Sequence, residues 1–191
     1  MDRRSGWTEA DRRKAEARLA EARERGDAAE EIRALVDLAG IARALGDAWA
    51  LVTVAQEAWT LAERESRWDQ LARLALLFGD IAYSGLDYLQ CYDHYANACA
   101  YAAMFARSSL VTADDAVSLP AVLARVDAVI DDMMTTGRTV IAQAFCEMLV
   151  AYEAFDGLGA PDPAFADHFR ERLRLVTAER GRELAGAVTL N

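Results

Sequence analysis

"LALLFGDIAYSGLDYLQCYDHYANACAYA", residues 74–102, gathers Cys91, Asp93, His94 and Cys99 among aromatic residues. It is either a metal or catalytic site or the interior of paired helices. Spacing decides between the two. Tyr88, Cys91, Tyr95, Ala98 and Ala102 recur at intervals of three and four, which places them on one helix face, with Asp93 and His94 toward its edge. Cys91 and Cys99 lie two turns apart, about 12 Å along a helix axis, too far to hold one ion together. A zinc site draws several Cys or His side chains to one point, and the other histidine, His168, is remote in the chain. The cysteines are expected as small apolar fillers. "SGLD" at 84–87 separates a helix ending near Tyr83 from one opening at Asp87. The stretch is a helical hairpin.

The same pattern extends through the chain. Its 191 residues are 53% hydrophobic and 27% charged with only three prolines, a globular, helix-favouring composition. No stretch alternates apolar and polar residues long enough to suggest a strand. One all-α domain is expected over 1–191. Thr8 with Asp11 forms a capping box with Trp7 outside it, opening a flanking helix over about 8–25 that Gly26 ends. Asp27 and Gly46 bound a second helix, and a third runs from Asp47 to about Arg64. Helices over about 68–83 and 87–105 follow, then a long connection at 106–118, then helices over 119–135 and 138–155. Asp162 and Pro163 open a last helix, to about 185, whose stripe is Phe165, Phe169, Leu173 and Val176. Short turns inside 27–155 force antiparallel neighbours, giving three successive hairpins.

Charge narrows the partner classes. Residues 1–25 and 168–191 each carry +2, which leaves −14 on the middle. Nucleic-acid binding by that middle is not expected, because phosphates need cations; a basic peptide or protein would be steered toward it. The amino terminus lacks an apolar signal-peptide core and no run is long enough to span a bilayer, so no membrane partner is expected. Three cysteines without a CxxC pair fit structural thiols in a reducing, cytoplasmic setting.

On these residues the chain resembles the tetratricopeptide repeats. Phe78, Gly79, Ala82 and Tyr83 occupy the first-helix positions of the family pattern; Tyr88, Cys91, Tyr95 and Ala98 occupy the second. Gly79 and Cys91 are small where two helices cross closely, and Tyr95 fills the groove beside them. The hairpin before it matches at Leu35, Leu38, Ala39 and Ala42 but has Leu51 in a small place and Ala55 in an aromatic one. The third keeps Gly137 and Ala142 but has Ile130 where Gly or Ala is usual. The degenerate repeats appended to large bacterial regulators are similar. The resemblance implies an α-α superhelix of about three hairpins with flanking helices, working as a non-enzymatic scaffold. A protein or peptide, of basic character, would lie in the groove of the first helices, on Arg33, Val36, Arg43, Arg73, Leu76, Asp80, Tyr83, Asp127, Asp131 and Met134. No cofactor or metal is expected. Association between copies is a further expectation, because a short array leaves an apolar face.

A different chemistry stays open at "VIDDMM". Asp127 and Asp131 share a face at i,i+4, and Glu147 and Glu153 sit on the adjoining helix. Magnesium takes oxygen ligands in an octahedron, so a divalent-metal-dependent enzyme, or a small-ligand-binding bundle, is the alternative. Neither a G-x-S-x-G elbow nor a phosphate loop is present. Trp7, Trp49, Trp59 and Trp68 are expected in helix packing rather than in a ligand pocket.

Overall fold

The computed structural model describes residues 6–108, 117–151 and 163–188, without the side chains of 163–164 and 183–188. The protein is all-α. Among the described residues the helices are α1 Glu9–Arg25, α2 Ala28–Leu45, α3 Ala48–Arg64, α4 Trp68–Ser84, α5 Tyr88–Arg107, α6 Leu119–Thr135, α7 Thr139–Val150 and α8 Pro163–Val188. None is long and apolar enough to cross a membrane. The expected seventh helix ends five residues early at Val150, with Ala151 as its C-cap; its last expected positions, 152–155, and the expected cap Asp162 lie outside the described residues.

Contacts gather the chain into two compact units, residues 1–77 and 78–191, divided within α4. In the first, α1 packs on α2 and α2 on α3. Ala15, Leu38 and Ile41 meet there, with Leu19 and Val54 against them. In the second, α5 packs on α6 and α7, α6 on α7, and α7 on α8. At the heart of that unit Tyr95 is fully buried. A Cβ on Gly79 would stand 2.9 Å from its ring, so glycine is what lets α4 approach α5. Phe165, Phe169 and Val176 form the buried stripe of α8.

The caps explain where the helices start and stop, and they are periodic. Thr8 and Asp11 make both bonds of the capping box. Gly26, Gly46, Ser66 and Leu86 end α1 to α4 in the left-handed region, φ 65°, 76°, 52° and 61°, each twenty positions after the last. In every turn the next residue's N–H donates back across the helix end to an alanine carbonyl: Asp27 to Ala22, Asp47 to Ala42, Arg67 to Ala62 and Asp87 to Ala82, at 2.8–2.9 Å. This is the Schellman closure, which satisfies carbonyls that the helix leaves open. Asp27, Asp47 and Asp87 then accept from the backbone of the following helix at 3.0–3.1 Å. One residue type therefore closes one helix and opens the next. Two such helices make a hairpin of forty residues, longer than the roughly 34-residue tetratricopeptide period. That Ser66 and Leu86 adopt a conformation glycine favours shows that the helix spacing, not the residue, fixes the turn.

Candidate functional site

The expected groove residues separate into two groups. In the second unit four of them are bonded to side chains of α5, α6 or α8. Asp80 accepts from the Tyr95 hydroxyl at 2.7 Å and from Arg125 at 2.7 and 3.1 Å. Burial, then the Asp80 charge, pushes the Tyr95 hydroxyl well above its ordinary value. The Tyr83 hydroxyl donates to Asp132 and is likewise raised, first by burial and then by that carboxylate. Asp127 pairs with His168 and Arg172, each at 3.0 Å, and Arg172 also reaches Asp131. Burial would lower the Arg172 guanidinium, but Asp131 and Asp127 outweigh it and hold its pKa up. Two i,i+4 acids on α6 thus meet an i,i+4 His–Arg pair on α8.

Four expected groove positions, Asp80, Tyr83, Asp127 and Asp131, therefore serve contacts inside their own unit. Glu147, the third acid of the metal reading, accepts from Gln143 at 2.8 Å. Among the described residues no group of three or more His, Cys, Asp or Glu is placed to hold a metal ion.

The first-unit positions differ. Arg33 is exposed and pairs with Glu30 at 3.3 Å, while Arg43 and Arg73 are half-buried. Val36, expected in the groove, is buried in the core because its helix face is the one α2 turns inward. Leu76 and Met134 are half-buried.

The cysteine and histidine cluster of α5 is interior. Cys91, Cys99 and Cys146 are free and buried. Burial pushes the Cys91 thiol up to about 12 and Cys146 to about 11, so neither is a thiolate at neutral pH. The His94 ring stacks on Phe78, centroids 5.4 Å apart, and burial lowers its pKa despite Asp93 and Asp87. A further buried polar group lies in the first unit. Asp69 accepts from Arg67 at 3.0 and 2.8 Å and from Gln70 at 2.8 Å. Burial alone would raise the Asp69 carboxyl, but those donors together hold it below the usual range.

What the sequence reading missed is the outer face of α3. Trp49, a packing residue by its sequence pattern, is instead 83% exposed, and Val52 one turn on is 56% exposed. With Gln56, Glu57, Leu61 and Arg64 they line an open groove of about 650 Å³, rimmed by Glu31 of α2. Arg23 of α1 spans its edge, paired with Glu31 at 2.9 Å and with Glu57. Asp47 as N-cap puts Trp49 in the first turn of α3, and the matching positions of α5 and α7 hold Leu89 and Val140, 63% and 58% exposed. The cap spacing was the signal that could have found them.

The forty-residue register makes the face testable within the molecule. The α3 positions 49, 52, 53, 56, 57, 60 and 64 are all exposed, and Leu61 forms the floor. Of the corresponding α5 positions, only Leu89 is exposed. There α7 lies against the face, with Phe145 edge-on to both Tyr92 and Tyr95 at 6.4 Å. Comparison of the chain with protein-family models, with curated proteins and with solved structures finds no match.

Proposed function

We propose that the chain is a non-enzymatic interaction module of tetratricopeptide-like helical hairpins, which seats a helical segment of a protein partner on the outer face of α3. One observation carries this reading: the α3 face is open where the equivalent α5 face holds a helix. An exposed Trp beside Val52, in one groove with Leu61 about three turns further along α3, is the kind of anchor that concentrates binding energy at protein interfaces. Glu31, Glu57 and Arg64 supply a polar rim of mixed charge. Carboxylates are engaged on both surfaces, by Arg125 and Arg172 in the groove of the first helices and by Arg23 at the α3 rim, so the exposed Trp49 and Val52 are what distinguish the α3 face.

The test is capture from native lysate by the immobilised chain, against a variant carrying Trp49→Glu and Val52→Glu. Both sites are exposed, so the fold is expected to persist. Capture that the variant loses supports the reading. Equal capture by both chains moves the binding surface away from α3.

A further inference from the structure

The stripe on α3 is self-complementary. Its members, 49, 52, 53, 56, 57, 60, 61 and 64, are symmetric in spacing about the midpoint between Gln56 and Glu57. Reversing the helix about that point brings Trp49 opposite Arg64, Val52 opposite Leu61, Thr53 opposite Thr60 and Gln56 opposite Glu57. Each pairing is chemically compatible: a guanidinium, held by its neighbour Glu65, over an indole face, aliphatic on aliphatic, hydroxyl beside hydroxyl, and an amide donor against a carboxylate that Arg23 also holds. A two-fold interface requires this reciprocity, since residue i must meet j while j meets i. We infer that the occupant of the α3 face is α3 of a second copy of this chain, packed antiparallel as the centre of a symmetric dimer.

The inference rests on the reading of α3 as the binding face and names the partner. The covered α5 face shows that a helix at this position seats on a stripe of this spacing. Trp49, Val52 and Arg64 stand exposed at the two ends of the stripe, so the ends are accessible to a partner. A single 17-residue helix on each side gives a contact about 25 Å long, at the small end of stable interfaces. The dimer is therefore concentration-dependent.

Sedimentation velocity of the full chain over a concentration series reads the association. The expected result is a shift toward twice the 20.9 kDa chain mass as concentration rises. Trp49→Glu with Val52→Glu abolishes the shift, and Arg64→Ala weakens association by roughly tenfold. Register is read by disulfide trapping. Thr53→Cys with Thr60→Cys forms a disulfide-linked dimer under mild oxidation, whereas either cysteine alone does not. The two positions on one helix, or either position and its own copy, stand about 10 Å apart, beyond a disulfide's reach.

A chain that stays monomeric at every concentration overturns the self-pairing while leaving capture of another protein through α3 intact. A dimer unaffected by Trp49→Glu with Val52→Glu overturns the inference and counts against α3 as a binding face. A disulfide formed by Thr53→Cys alone places that position opposite its own copy and overturns the register that pairs Thr53 with Thr60.

Discussion

Helices α3 and α5 are the second helices of successive forty-residue hairpins, capped alike by Asp47 and Asp87, yet one face of α3 is open and its counterpart on α5 is covered. The difference does not lie in helix formation. It lies in side-chain volume and in whether a further helix is present. Tyr92 and Tyr95 give α5 two rings that Phe145 of α7 packs edge-on, while α3 has Val52 and Ala55 at those places. The inner positions are exchanged in the same sense. The first hairpin has Ala39 and Ala55, both fully buried, where the second has Gly79 and Tyr95. A missing Cβ on one helix makes room for a whole ring on the other. The polar consequence follows: Asp80, bonded to Tyr95 and Arg125, corresponds to Gly40 in the first hairpin, which has no such network there.

Truncating the covering ring tests the contrast between α3 and α5 most directly. Phe145→Ala should cost about 3–5 kcal/mol in denaturant unfolding, because it leaves a cavity against two tyrosines. Trp49→Ala at low protein concentration should stay within about 0.5 kcal/mol of the parent. Equal losses would mean that the α3 face is covered within the monomer.

Next in size, Asp80→Ala should destabilise by about 2–3 kcal/mol, less than a fully buried pair because Arg125 keeps solvent access. Combining it with Tyr95→Phe should cost less than the sum of the two, since the hydroxyl and carboxylate are partners. Additive losses would separate them.

Gly79→Ala should cost about 1–3 kcal/mol by forcing a Cβ onto the fixed Tyr95 ring. At the matching position, Ala39→Gly should cost about 1 kcal/mol through helix propensity alone. Unfolding curves that rank the two in reverse would show that α4 and α5 do not need glycine to pack.

The smallest effect is in pH. His94 is held below its ordinary pKa by burial. Its unfolded form binds a proton near pH 6.5 while the folded form resists, so its contribution is complete above that pH and declines as pH falls toward the folded value. Stability between pH 7 and 5 should therefore drop, and His94→Gln should flatten the drop. Unchanged slopes would place the pH dependence elsewhere.

Helix positions were legible because caps are local chemistry. Thr8, Asp27, Asp47 and Asp87 each bond to backbone three residues on, a contact that spacing alone predicts. The Gly79–Tyr95 fit was legible for a related reason, since Gly79 and Cys91 are small residues on successive helices with an aromatic residue, Tyr95, one turn further on, a pattern that signals close crossing. Trp49 was not. A large apolar residue in a helix is normally a packing residue, and exposure depends on which neighbour reaches it. The ties of Asp127 and Asp131 were hidden as well. Their i,i+4 spacing was visible, and so was that of His168 and Arg172, but nothing local pairs groups some forty residues apart.

An all-α chain, its helix ends and the small residues at a close crossing are local properties, because backbone hydrogen bonding and side-chain periodicity act over a few residues. Which acidic residues are neutralised and which apolar face is left open follow from how the helices pack. Charge pairing and burial depend on distances between helices that are remote in sequence, and those distances exist only once the helices are packed.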